Sequence, residues 1–254
     1  MLNRRTLRVK AMQALFAFEQ CKGADYNVSI QEIEETFSPD LNSMEEQDPV
    51  LLGQQKNEAK KLFQEHINEG SSVRSSSDEK VESVVKDAVK NYHKQVKNDQ
   101  NRIRKAMVME AERIYDHFIK ILSLLIQFRK MADAGVGFKK SENEAQHNFS
   151  DNTIVKALKE NDELENISLK KNLQWESDID TVRDWFKNVI SKDEEYIEYL
   201  KISSPDLEQD YEIINYIIRK VIFKNDTILS YWENADMNWA EDSSIVRSLV
   251  NKTM

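Results

Sequence analysis

Residues Glu112 to Phe128 read ERIYDHFIKILSLLIQF. Ile114, Phe118, Ile121, Leu122 and Leu125 recur there at three- and four-residue intervals. That spacing lines one side of an α-helix; a strand would alternate. It is the strongest core signal in the chain. Lys120, Ser123 and Gln127 interrupt its longest apolar run, Phe118 to Phe128. The run is too short and too polar to cross a bilayer, which takes about 20 apolar residues.

Upstream, Val81, Val84, Val85, Ala88 and Val89 keep the same spacing, so Asp78–Ala134 is expected to be helical nearly throughout. The intervening Asn91–Lys105, NYHKQVKNDQNRIRK, is polar and basic and has few apolar anchors. Two readings stay open for it: an exposed helix, or the corner of a helical hairpin. Gly135 and Gly137 end the element, and Ser141–Asp151 reads as a polar loop. Shorter helices follow. One covers Thr153–Glu160. Another is capped by Asp180 or Thr181 and carries Val182, Trp185, Phe186 and Ile190. A third starts at Ser204-Pro205, the serine as N-cap, and buries Ile214, Ile217, Ile218, Val221 and Ile222. The last two lie around Thr227–Glu233 and from Ala240 onward, with Trp232 and Trp239 as packing residues between them.

Composition agrees with an all-α fold. The 254 residues include five Gly and three Pro, where average usage of about 7% Gly would give roughly 18. The chain lacks the residues that punctuate β-turns. We expect a helical bundle with long central helices and an acidic, partly irregular insertion. The expected organisation is a basic N-terminal helix (1–22), an acidic linker or insertion (23–77), long helices or a hairpin (78–137), and C-terminal helices packing with the N-terminal one (138–254). Pro39, Pro49, Gly53 and the serine run at Ser71–Ser77 support the linker reading. A single weak amphipathic helix is expected inside it, Val50–Asn68, with Leu52, Ala59, Leu62, Phe63 and Ile67 as its apolar side.

The net charge of −9 is unevenly spread. Met1–Lys22 holds five basic residues and one acidic, whereas Ala24–Ser72 holds three basic and eleven acidic. An acidic total argues against indiscriminate nucleic-acid binding. It leaves room for a local basic site, because exposed charges are screened beyond about 8 Å at physiological salt. Cys21 is the single cysteine, which rules out an internal disulfide and fits a reducing compartment. No secretory h-region follows the basic N-terminus, so a soluble, cytoplasmic protein is expected.

Enzyme signatures are lacking: there is no HExxH, CxxC, GxSxG or GxxxxGK[ST]. Glu144 and His147 have the i, i+3 spacing of a di-iron ligand pair, but they stand in a polar loop with no second copy. His93 and His117 read as satisfied or solvated. No pair of carboxylates is singled out by an apolar setting. Binding rather than catalysis is the expectation, with no cofactor and no metal.

The residues best suited to binding open the chain: MLNRRTLRVKAMQALFAF, Met1 to Phe18. As a helix capped by Asn3 and stopped near Gly23, it puts Leu7, Ala11, Ala14, Leu15 and Phe18 on one stripe expected to dock. Arg5 and Arg8 fall on a flank, Arg4 at the N-terminal end, and Lys10 on the other flank. Cations at a helix N-terminus oppose the macrodipole, so the arginines are not there for the helix's sake; two readings stay open for them, a solvated basic end and an anion site.

The pattern Arg4-Arg5-x-x-Arg8-x-x-Ala11-x-Gln13-Ala14-Leu15-Phe16 resembles the opening helix of NusB proteins, bacterial transcription antitermination factors. Glu112–Phe128 and Tyr211–Met254, including NWAEDSSIVRSLVNKT from Asn238 to Thr253, are similar to later segments of long NusB forms. The resemblance implies an all-helical protein without enzymatic activity. It implies binding of boxA RNA together with NusE, a small-subunit ribosomal protein, in the transcription elongation complex on ribosomal RNA operons. By position it gives RNA contacts to Arg4, Arg5 and Arg8, with Lys10 an addition the motif does not fix, and makes Ala11, Leu15 and Phe16 packing positions. The chain departs from the pattern in its expanded 24–137 region. The C-terminal helical bundle of long forms, with much of the NusE contact surface, is not seen before Met254. The competing reading is a helical scaffold that binds only protein.

Overall fold

Helix caps and apolar periodicity set the architecture. The computed structural model describes residues 2–40, 47–69, 76–137 and 147–254, and every regular element among them is helical. In order they are α1 (Arg4–Thr36), α2 (Pro49–Glu69), α3 (Glu79–Asp133), α4 (His147–Ser150), α5 (Thr153–Lys159), α6 (Asp162–Lys170), α7 (Ile179–Asn188), α8 (Glu194–Leu200), α9 (Leu207–Tyr216), α10 (Asp226–Ala235) and α11 (Trp239–Thr253). A 3₁₀ turn, Ile190–Lys192, precedes α8, and a π-helical stretch, Ile217–Ile222, continues α9. No described helix is long and apolar enough to cross a membrane. The chain divides into two compact units, Met1–Ala111 and Glu112–Met254.

In the first unit the segment expected as a linker builds the core. Ile33 and Phe37 from the end of α1 meet Ala59, Leu62 and Phe63 of α2 and Val81, Val85, Ala88 and Tyr92 of α3. Tyr26, Phe63 and Tyr92 form a ring cluster with centroids 5.6 to 6.4 Å apart. Gly23 therefore does not stop α1. A glycine inside a helix costs about 1 kcal/mol, whereas burying Ile33 and Phe37 returns roughly 1.5–3 kcal/mol each. Glu32, Glu35 and Glu58 of this segment are exposed, whereas Asp25 has a carboxylate oxygen buried without a partner among the described residues. Glu34 pairs with Lys60 of α2, and the Gln55 amide donates to Asp78 at 2.6 Å, tying α2 to the start of α3. The α2 face matches its apolar pattern. Residues 71–75 of the serine run lie outside the described residues.

The hairpin reading of Asn91–Lys105 is also corrected: α3 is one helix of 55 residues. Its polar middle stays exposed on most sides, and it carries no Gly or Pro to break the turn.

The second unit is organised around Ile114–Ala132 of α3. Ile119 and Leu124 are buried as well as the expected stripe, so this stretch is covered on several sides, as a central helix must be. Trp175, Trp185, Tyr231, Trp232 and Trp239 pack near it, with Trp232 and Trp239 stacked at 5.1 Å. Lys120, which interrupts the apolar run, has its ammonium 4.4 Å from the Trp175 ring centre and donates to the Tyr231 hydroxyl at 2.7 Å. Tyr231 in turn donates to Asp178 at 2.8 Å. Asn152, fully buried, caps α5 and donates to the Asp210 carbonyl at 3.1 Å, while the Tyr199 hydroxyl donates to the Asp210 carboxylate at 2.6 Å. Two starts shift by a few residues. Asp206, not Ser204, caps α9, because it forms a capping box with Gln209. α7 begins at Ile179, after Asp178. The expected Ile face of α9 is buried together with Ile213.

Candidate nucleic-acid interface

Asn3 opens α1, its side chain accepting the Thr6 N–H at 2.8 Å. The first turn then holds no acidic residue. Its positive dipole end and the guanidinium groups of Arg4 and Arg5 add rather than cancel, which suits an anion. Arg4, Arg5 and Arg8 are all exposed. None of the three has a hydrogen bond, ion pair or ring contact among the described residues.

Lys10 does not stand with them. It is 4% exposed and engaged in an interaction of its own. The buried side of this part of α1 runs Thr6, Lys10, Ala14, Phe18, Cys21, at four- and three-residue steps, the last three only half-buried. The expected apolar stripe docks only in part: Ala11, Ala14 and Phe18 are half-buried, while Leu7 is 46% and Leu15 59% exposed. The core of the first unit takes only the later half of the helix, from Tyr26 onward.

The correction changes the character of the exposed face. At about 100° per residue, Arg8, Met12, Arg5 and Phe16 fall within one arc of roughly 80°, flanked by Leu15 and Val9. Met12 and Phe16 are the most exposed apolar residues there, at 66% and 67%. Guanidinium groups and an aromatic ring thus share one solvent-facing surface. The packing position that the resemblance implies for Phe16 does not hold: the ring is exposed on the arc of Arg5 and Arg8.

Several chemistry-bearing groups elsewhere are occupied. His117 donates from Nε2 to Asp236 at 2.8 Å, since an ionised carboxylate only accepts. Arg113 reaches the other carboxylate oxygen at 3.3 Å. Burial pushes the Asp236 pKa up, but the His117 hydrogen bond, the Asn238 N–H and Arg113 outweigh it and hold it below the usual carboxylate range. Burial also lowers the Lys120 ammonium, opposed by Asp178. Cys21 lies 3.6 Å from the Arg102 guanidinium, which Asp99 also holds at 3.0 Å. Among the described residues no three His, Cys, Asp or Glu side chains gather as a metal site. Glu144 lies outside those residues, as does the His147 side chain. Comparisons of this chain with protein-family models, curated proteins and solved structures find no match.

Proposed function

We propose that this chain is an RNA-binding transcription antitermination factor of the NusB kind, which engages single-stranded boxA-type RNA together with NusE. The observation that carries the reading is the trio Arg4, Arg5 and Arg8, exposed and unpaired at the start of a capped helix. Arginine donates two parallel hydrogen bonds to phosphate and stacks on unpaired bases. Single-stranded RNA displays both targets. Met12 and Phe16 extend the same face with apolar area, and an exposed ring accepts any base by stacking. The helix backbone holds these groups in fixed spacing, which limits the entropy lost on binding. The test is an electrophoretic shift with a boxA-containing RNA and a scrambled control at about 0.15 M salt, where exposed charges are screened within about 8 Å. Preference for boxA supports the reading; equal or absent binding rejects it.

A second reading is a scaffold that binds only protein. Leu7, Val9, Met12, Leu15 and Phe16, all exposed within three turns, favour it. In that case neither RNA is shifted, and Phe16→Ala removes the protein partner.

A further inference from the structure

The basic stretch of α3 takes no part in the arginine face. From Lys86 to Lys105 the helix carries seven basic residues and two acidic, Asp87 and Asp99, and Arg102 holds the second of these at 3.0 Å. At about 100° per residue, Lys86, Lys90, Lys94, Lys97, Arg104 and Lys105 fall within an arc of roughly 100°. Val85, Ala88 and Tyr92, buried in the core of the first unit, and the half-buried Val96 lie on the opposite side of the helix. All six cations are exposed, and none has a hydrogen bond, ion pair or ring contact among the described residues. At about 1.5 Å per residue the stripe is roughly 29 Å long.

Helix stability does not account for this stripe. Like charges three and four positions apart repel, as at Lys86–Lys90, Lys90–Lys94 and Lys94–Lys97. An exposed helix held by its own surface charges alternates their signs instead. A linear polyanion relieves the repulsion along the whole row. No large apolar side chain is exposed between Lys86 and Lys105, so a lipid surface finds no anchor there. Unpaired bases find little to stack on: Tyr92 is buried, His93 rests against it at 5.5 Å, and five of the six cations are lysines, compact charges without a planar face. Duplex DNA presents one charge per about 1.7 Å of its axis. Its major groove, about 12 Å wide, admits an α-helix, whose diameter with side chains is about 10–12 Å. The deep, narrow major groove of duplex RNA does not.

We propose that the middle of α3 binds the phosphate backbone of duplex DNA without sequence preference, the helix lying in the major groove. Lys86, Lys97 and Arg104 lie on one flank of the arc and Lys94 and Lys105 on the other, so the two sets meet the two strands. The net charge of −9 does not prevent this, because exposed charges are screened beyond about 8 Å at physiological salt. The site is on a different helix from Arg4, Arg5 and Arg8 and does not depend on RNA binding.

Fluorescence anisotropy of the full chain with two labelled DNA duplexes of unrelated sequence, across a salt series, tests it. Both duplexes should bind equally, with a Kd of about 1–100 μM, the range of non-specific binding near physiological salt. With all six cations on phosphates, log K against log salt should slope about −5.4, from roughly −0.9 per contact. Replacing Lys90, Lys94 and Lys97 together by Gln should make the slope shallower by about 2.7. These side chains are exposed, and Gln keeps the helix while removing like charges, so the triple variant should melt no lower than the parent by circular dichroism. Arg5→Ala/Arg8→Ala should keep duplex binding, which separates this site from the RNA face. Single-stranded DNA and duplex RNA of the same sequence should bind more weakly. The proposal is overturned by no anisotropy change up to about 100 μM protein at about 0.05 M salt, where the counterion term strengthens binding. It is equally overturned if the folded lysine variant keeps the parent slope, if the arginine variant loses the duplex, or if either other nucleic acid binds as tightly.

Discussion

Asp236 is 3% exposed and still ionised, because His117, Arg113 and the Asn238 N–H all donate to it. Removing one partner of a buried pair leaves the other uncompensated, so Asp236→Ala should lower stability by about 3 kcal/mol in a urea titration. The pH dependence has a fixed sign. The folded pKa is depressed, so the stabilisation is fully present above the unfolded value of about 3.9 and is lost as pH falls through the lower folded value. Asp236→Asn should be weaker at neutral pH and lack this acid-side loss. On the exposed face of α1, Phe16→Ala should cost about 1–3 kcal/mol of RNA affinity if a base stacks there, read by fluorescence anisotropy. The exposure of the arginines was legible in the sequence, since three cations opposing the dipole have no structural reason to be there. The burial of Lys10 was not: nothing in its sequence neighbours distinguishes a buried lysine from a solvated one.

Among elements, α1 shows where local reading fails. Gly23 is a good helix stop by propensity, yet α1 passes through it. The deciding contacts come from residues in α2 and α3, 20 to 70 positions away in the chain, which local spacing does not reveal. A Cβ at Gly23 would meet nothing within 4 Å. Gly23→Ala should therefore stabilise the protein by about 0.4–1 kcal/mol; a loss on thermal melting would contradict a continuous α1. Gly137 is the opposite case. It takes a positive φ of 91°, and a Cβ there would lie 2.5 Å from the Ser191 hydroxyl, so Gly137→Ala should destabilise. The stretch around Ile114–Leu125 was readable because its pattern is strong and unbroken. The weak apolar face of α2 was also readable. Its importance was not, because Ala59, Leu62 and Phe63 matter through their partners on the other two helices.

At the scale of the whole molecule, two cores replace the expected helix, linker and bundle. All four tryptophans, Trp175, Trp185, Trp232 and Trp239, lie in the second unit, so their fluorescence reports that core while circular dichroism reports both. Phe63→Ala, which empties the first core at a cost of about 3–5 kcal/mol, should shift the dichroism transition more than the tryptophan transition; equal shifts would contradict separate cores. The net charge of −9 makes any RNA binding a local matter of a few cations. Phosphate contacts release counterions, so their number is readable from salt dependence. With Lys10 buried, the three arginines should give a slope of log K against log salt of about −2.1, from roughly −0.7 per contact on single strands. Filter binding of boxA RNA across a salt series, comparing the parent with Arg5→Ala/Arg8→Ala, is the most direct measurement. The variant's slope should be shallower by about 1.4, and an unchanged slope would show that the arginine face does not hold the RNA.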